Sequence, residues 1–297
     1  MSLADQAYMA RALELARKGL YSTHPNPRVG CVIVRDGQIV GEGWHVRAGE
    51  PHAEVHALRH AGELARGATA YVTLEPCSHH GRTPPCADAL IAAQVVRVVV
   101  AMQDPNPQVA GSGLQRLTQA GIEVHAGVLE NEAHSLNAGF IKRMQHGLPF
   151  VRVKLAMSLD GRTAMASGES QWITGPAARS AVQRLRARSS VVLTGADSVL
   201  SDGARLTVRA AELGLDAELS ELAMTRPPLR VLVDGRLRVP LDAPFYQVGK
   251  ALVATCAAAS ARERYLESGH GLLALQGSNG RVDLHKLLLE LAARGAN

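Results

Sequence analysis

The run His52-Ala53-Glu54-Val55-His56-Ala57-Leu58-Arg59-His60, then Ala70-Tyr71-Val72-Thr73-Leu74-Glu75-Pro76-Cys77, then Cys86-Ala87-Asp88-Ala89-Leu90 decides how the first half is built. Its first part has apolar residues at helical spacing, its second is β-rich and stops at a proline, and its third is helical again. That order places His52 at a helix start, Cys77 at a strand end and Cys86 at a second helix start. Ends of elements are where side chains from separate segments converge.

Outward from this run the alternation continues. A helix is expected over 4–18, closed by Gly19, followed by the turn-rich His24-Pro25-Asn26-Pro27. Strands over 31–34 and 38–44 flank the hairpin signal Asp36-Gly37, and helix 53–66 and strand 70–74 come next. Helix 87–93 then precedes strand 95–101, whose apolar run suits burial on both faces. Helices over 114–120 and 130–145 flank a strand over 122–126. Gly147 and Pro149 mark a boundary, giving domains 1–146 and 147–297. The second domain is expected to hold strands at 150–157, 191–194, 230–233, 252–255 and 272–275. Its helices are expected at 176–188, 258–267 and 284–294, with parallel connections, so both halves are α/β.

Composition excludes several classes. The chain has 297 residues, 46% apolar and 20% charged, enough for two buried cores and too ordered in pattern for a disordered polymer. The longest apolar stretch, 89–101, is interrupted by Gln94 and Arg97 and falls short of the ~20 residues of a membrane helix. No membrane partner is expected, and the amphipathic 1–19 segment is no signal peptide, so the cytoplasm is the expected compartment. Four cysteines, Cys31, Cys77, Cys86 and Cys256, are too sparse for a disulfide framework. The net charge of +5 falls entirely in the second half, while ten of the twelve histidines precede Gly147. A metal or acid/base site in front and an anion site behind fit that asymmetry. Dispersed basic residues and 3% aromatics do not make a nucleic-acid surface.

Imidazole and thiolate are ligands that Zn²⁺ prefers, so His52, Cys77 and Cys86 form a candidate zinc set that leaves a fourth tetrahedral position for water. Cys86 opens a helix, whose N-terminus favours thiolate. Glu54 is the candidate catalytic residue, a carboxylate able to take a proton from that water and pass it to a leaving amine. His-x-Glu followed by Pro-Cys and a further Cys is the general signature of zinc deaminases, although eight residues separate the cysteines here instead of two. The bland alternative is a closed structural site with His79, His80 or His45 as fourth ligand. His56 and His60 read as packing or surface residues.

The segment Pro76-Cys77-Ser78-His79-His80-Gly81-Arg82-Thr83-Pro84-Pro85-Cys86 resembles the bifunctional riboflavin-biosynthesis deaminase/reductase of bacteria. So do His24-Pro25-Asn26-Pro27, Gly49-x-Pro51-His52-Ala53-Glu54, Asp104-Pro105-Asn106-Pro107, Lys154-Leu155-Ala156-x-Ser158-Leu159-Asp160-Gly161-Arg162 and Ser167-Gly168-Glu169-Ser170-Gln171-Trp172-Ile173-Thr174. The resemblance covers essentially the whole chain. It implies a cytidine-deaminase-like three-layer sandwich followed by a dihydrofolate-reductase-like α/β domain. It also implies that the first domain removes the ring amine of a phosphorylated diaminopyrimidine, with Asn26 holding the ring. The second domain would reduce the ribosyl group to ribityl with NADPH. By the same resemblance Ala156, Trp172, Ser198, Asp202 and Gly235 line the NADPH site, and Lys154, Ser170, Arg186, Leu206 and Arg209 face the substrate. Arg186 and Arg209 suit phosphate through bidentate guanidinium bonding. A homo-oligomer, dimer or tetramer, is expected.

Sequence spacing by itself names no dinucleotide, since Gly111-Ser112-Gly113 lies in the wrong half with Arg116 where a third glycine belongs. Two departures from the family stand out. Gly203-Ala204-Arg205 precedes Leu206-Thr207-Val208-Arg209, where the family has an acidic or amide residue and a proline, which predicts a looser loop. The family also continues past the 284–294 helix into strands absent from this sequence, so a truncated chain with an impaired reductase stays open. Two other functions stay open as well: a base, nucleoside or tRNA deaminase with a regulatory second domain, and a non-catalytic zinc-stabilised sensor.

Overall fold

A computed structural model describes residues 2–79, 84–170 and 172–297. The chain divides into two compact units, residues 1–150 with 295–297, and residues 151–294.

The first unit begins with α1 (Leu3–Lys18), capped reciprocally by Ser2 and Asp5. Met9, Ala12, Leu13 and Ala16 recur at helical spacing and are buried on one face. Strands β1 (Gly30–Arg35) and β2 (Gln38–Trp44) form the hairpin expected across Asp36-Gly37, both of which have positive φ. Then follow α2 (Ala53–Ala61), β3 (Thr69–Val72), α3 (Cys86–Ala92), β4 (Arg97–Val100), α4 (Ser112–Gln119), β5 (Glu123–Ala126), α5 (Glu130–Leu136) and α6 (Ala138–His146). Sheet order is β2-β1-β3-β4-β5, with β1 antiparallel to both neighbours and β3, β4 and β5 parallel. Helices α2, α3 and α4 pack together on one face, and α1 meets α5 on the other. This is the expected three-layer sandwich. Val98, Val99 and Val100 are fully buried, as a continuous apolar run between two helical layers must be.

Close packing of α2 on β2 positions the site. A Cβ at Gly43 would lie 2.4 Å from the Ala53 carbonyl oxygen, so only glycine lets the first turn of α2 rest on the strand. His52 and Glu54, at the start of that turn, are placed by the contact.

In the second unit β6 (Val191–Gly195), β7 (Leu229–Val233), β8 (Leu252–Thr255) and β9 (Gly271–Ala274) form one parallel sheet in sequential order. Its helices are α7 (Pro176–Ala187), α8 (Ala196–Asp202), α9 (Ala217–Thr225), α10 (Ala259–Glu267) and α11 (Leu284–Ala293). Leu232, Val239, Phe245, Val253 and Tyr265 form its core. Inside it the Arg230 guanidinium lies over the Phe245 ring and donates to the carbonyls of Phe245, Gly249 and Lys250, which satisfies a buried cation without a carboxylate.

Two expectations differ here. The strand expected over 150–157 is not formed: among the described residues no strand pairs with it, and Val153 and Leu155 are 78% and 65% exposed. Alternating apolar residues favour a strand, but a ladder needs a neighbour to accept its backbone bonds. Helices α8 (Ala196–Asp202) and α9 (Ala217–Thr225) fall between the expected strands 191–194 and 230–233, where the sequence reading assigned no element. Asp216 caps α9 through the Leu219 N–H, a signal that was legible.

Candidate active site

His52 is the extended residue immediately before α2, and its carbonyl accepts from the Val55 and His56 N–H groups. Cys77 is delivered by the chain beyond β3. There the Thr73 N–H donates to the Gly30 carbonyl, and the Glu75 N–H donates to Met102. Cys86 opens α3, its N–H donating to Cys77 Sγ at 3.3 Å while Ala87 N–H donates to the Cys77 carbonyl. These three starts and ends bring His52 Nδ1 within 3.2 Å of Cys86 Sγ and 3.6 Å of Cys77 Sγ. All three candidate ligand atoms lie within 4.8 Å of one another. One imidazole and two sulfurs at that separation fit a tetrahedral zinc ion.

Electrostatics agree with that donor set. The bond from the Cys86 thiol, with those from His52 and the Cys86 backbone, holds Cys77 well below the usual thiol range. Cys86 is correspondingly raised, because it keeps the proton it shares with Cys77 and is buried. His52 is raised by its bond to Cys77. Glu54 is 3% exposed and stands against the same three side chains, and burial pushes its carboxyl up to about 6. Its Oε2 has no hydrogen-bond partner. A buried carboxylate oxygen without a partner is costly unless a ligand meets it.

Asn26 sits at the rim, with Nδ2 3.1 Å from His45 Nε2. His45 Nδ1 lies 3.2 Å from the Pro51 carbonyl, which can only accept, so Nδ1 carries the hydrogen and Nε2 accepts from Asn26. Burial lowers the His45 pKa. Of the histidines considered as a fourth ligand, His45 is committed to Asn26, His79 is exposed and outside the cluster, and His80 lies outside the described residues. His60 Nδ1 accepts from the Glu42 N–H, away from the cluster.

The anticipated residues of the second unit fall into separate groups. Arg186, Leu206 and Arg209 come together: Arg186 donates to the Thr207 carbonyl and the Arg209 N–H donates to Gln183 Oε1. Burial, with Arg209 nearby, lowers the Arg186 pKa. Arg209 also pairs with Glu212 at 2.9 Å. Ser198 and Asp202 are exposed on α8, and Gly235 follows β7 at the C-terminal end of the sheet, where ligands bind in open α/β folds. Lys154, Ala156, Ser170 and Trp172 lie in 151–175, whose described residues form no helix or strand; Lys154 and Trp172 are exposed, and Arg179 stacks over the Trp172 ring at 4.5 Å.

Glu75 was not singled out by the sequence, and His45 was considered only as a fourth zinc ligand, not as the partner of Asn26. For Glu75 a signal existed: an acidic residue at the end of the apolar strand that runs into Pro76-Cys77.

Comparison with known proteins agrees with this geometry. Residues 2–102 match the cytidine and deoxycytidylate deaminase zinc-binding region, and residues 149–297 match the RibD C-terminal domain. The riboflavin biosynthesis protein RibD of Escherichia coli K12 is 56% identical over 297 residues, covering 99% of this chain and 80% of that protein. The structure of Acinetobacter baumannii RibD superposes with a TM-score of 0.87 at 52% identity, covering 98% of this chain and 78% of that one. The Thermotoga maritima diaminohydroxyphosphoribosylaminopyrimidine deaminase/5-amino-6-(5-phosphoribosylamino)uracil reductase gives 0.82 at 36% identity, covering 99% and 79%. No helix of the described residues is long and apolar enough to cross a membrane. The two domain matches in this order, and identity along nearly the whole chain, show that it belongs to the RibD family of bifunctional riboflavin-biosynthesis enzymes, which join a zinc-binding deaminase domain to a reductase domain.

Proposed function

We propose that the first unit hydrolyses the ring amine of 2,5-diamino-6-(5-phosphoribosylamino)pyrimidin-4-one, and that the second reduces the ribosyl group of the product to ribityl. The observation that carries the first half is the unpartnered Glu54 Oε2, buried beside His52, Cys77 and Cys86. Zinc, when bound by those three side chains, supplies Lewis acidity that makes water a nucleophile near neutral pH. Glu54 takes the proton released as water adds to the ring carbon and returns it to the amine, which departs as ammonia when the C–N bond breaks. A carboxyl raised to about 6 by burial suits a group that must both accept and give a proton near neutrality. Asn26, fixed by His45, offers Oδ1 to a ring N–H and orients the pyrimidine.

In the second unit the half-buried Arg186 guanidinium, with the charge of Arg209 nearby, supports a phosphate site. Ser198, Asp202 and Gly235, near the carboxyl ends of parallel strands, would hold NADPH, which supplies the reducing equivalent. Free thiols at the metal set support a cytoplasmic setting. A homo-oligomer belongs to the same reading, supported by the exposed apolar side chains Val151, Val153, Leu155 and Met157, and sedimentation equilibrium tests it. The deciding experiment is a coupled assay on the phosphoribosyl pyrimidine, with and without NADPH, following ammonia and cofactor absorbance together. Zinc-loaded protein that binds this substrate and releases no ammonia would refute the deaminase half.

A further inference from the structure

Helix α4 begins behind Gly111, which has no side chain to cap the first-turn N–H groups. A carboxylate distant in sequence takes that place. Glu75 Oε2 accepts from the Asp104 N–H at 3.0 Å and the Gly111 N–H at 2.9 Å. Its Oε1 accepts from Gly113 at 2.8 Å and Leu114 at 3.4 Å. Glu75 is 5% exposed, and an anion at a helix N-terminus has the favourable sign.

The same turn of α4 is pressed on the segment that delivers Cys77. A Cβ at Gly113 would come within 1.9 Å of the Pro76 carbonyl oxygen, so the helix backbone rests directly on the Pro76-Cys77 peptide. Beyond Cys77, Ser78 Oγ lies 2.8 Å from Ser112 Oγ. Ser112 gives its hydroxyl hydrogen to the Val109 carbonyl, so Ser78 is the donor between them. Cys77 is therefore fastened on both flanks to one helical turn, by Glu75 before it and Ser78 after it.

We propose that Glu75, with Ser78 as the second arm, is a positioning residue of the deaminase site: by capping α4 it fixes the Pro76-Cys77 turn and keeps the Cys77 sulfur opposite His52 and Cys86. The inference rests on the zinc-deaminase reading above and adds a claim about what sets metal retention. Outer groups that orient ligands commonly change metal affinity or activity by about 10- to 100-fold when removed.

The test is Glu75→Gln in the full 297-residue chain. The substitution turns an NH₂ group toward N–H donors and removes two of the four bonds. Zinc release to a chromophoric chelator should be about 10-fold faster or more, and the sulfur-to-cobalt charge-transfer band of the cobalt-loaded protein should shift, with far-ultraviolet circular dichroism unchanged. A folded variant with wild-type zinc release and a wild-type cobalt band overturns the proposal, because a merely structural cap would leave both where they are. If Glu75→Gln does not fold, Ser78→Ala takes over: release a few-fold faster supports the clamp, and wild-type release overturns it. Wild-type protein that takes up no zinc would overturn the deaminase reading with it, whereas equally tight zinc in wild type and variant removes the positioning role alone.

Discussion

The candidate deaminase residues and the candidate reductase residues belong to the same chain and are built in opposite ways. His52, Glu54 and Cys86 each sit at or within one turn of a helix start, Cys77 lies in the segment that leaves β3, and backbone bonds fasten each of these places. Lys154, Ala156, Ser170 and Trp172 lie in a stretch whose described residues form turns and bends and join no ladder. Reacting groups must be held to fractions of an ångström, and only fastened element ends do that in a static fold. The candidate residues of the first unit are therefore held at fastened places, whereas in the second only Arg186, Leu206 and Arg209 are drawn together.

The sharpest way to break this contrast is Glu54→Gln. Removing a proton shuttle costs about 10²- to 10⁴-fold, so ammonia release should fall by about three orders of magnitude while zinc content and NADPH oxidation with the deaminated intermediate stay at wild-type values. Metal analysis beside the coupled assay reads both. Loss of the reductase signal as well would mean that the two sites are not independent.

Next in size is the scaffold of the first unit. Asp5 accepts from Arg97 at 2.7 Å and from the Tyr71 hydroxyl at 2.9 Å, tying α1 to β3 and β4. Arg97 holds the Asp5 carboxyl well below the usual carboxylate range. Because the folded pKa is depressed, this stability is present above the unfolded value of about 4 and disappears as pH falls below it. Asp5→Asn should cost about 2 kcal/mol at pH 7, and its difference from wild type should shrink toward pH 3. Trp44 fluorescence in a Trp172→Phe background follows this unit, since the chain has two tryptophans, one in each unit. A constant difference across that range would show that the pair does not titrate with folding.

Much of this was legible before any coordinates. The His-x-Glu, Pro-Cys and Cys spacing picked out three candidate ligands because metal chemistry restricts the residue types, and the fold brings their ligand atoms within 4.8 Å of one another; the alternation of helical and β periods marked the five strands of the first sheet. The partners of Glu75 and His45 were obscure for a physical reason: their bonds to Gly111, Gly113 and Asn26 join residues far apart in sequence, so the position of Glu75 before Pro76-Cys77 is visible but what it binds is not. The 150–157 strand was overread because alternation reports what a side-chain pattern could bury, whereas a ladder also needs a neighbour. The candidate residues of the second unit came from family resemblance alone, since glycine, serine, leucine and arginine in those places have no chemistry as distinctive as a thiolate pair.

Arg186→Ala sharpens the contrast from the other unit. If Arg186 grips a substrate phosphate, KM for the reductase substrate should rise about 10-fold with kcat little changed, the loss expected of one charge-assisted bond of about 1.5 kcal/mol. Steady-state NADPH oxidation measures it. Equal falls in kcat and in Tm, with KM unchanged, would instead make Arg186 a buttress for the Thr207 carbonyl it already touches.

The smallest effect concerns backbone strain. Helix α3 ends with Gln94 at φ 57°, its N–H donating to the Ile91 carbonyl and the Val95 N–H donating to Leu90, the helix-closing pattern that usually uses glycine. Gln94 is exposed, so Gln94→Gly loses little packing. Relief of about 1 kcal/mol, partly offset by the greater freedom of glycine in the unfolded chain, should raise the stability of the first unit slightly. In the second unit Leu237 has φ 54° but is 5% exposed, within the core beside Val239 and Phe245. Leu237→Gly relieves the same strain and gives up a buried side chain of about 2 kcal/mol, so its sign is opposite. Thermal unfolding of the two variants decides the matter: a stabilised Leu237→Gly would mean that the contrast between the units extends into the core of the second.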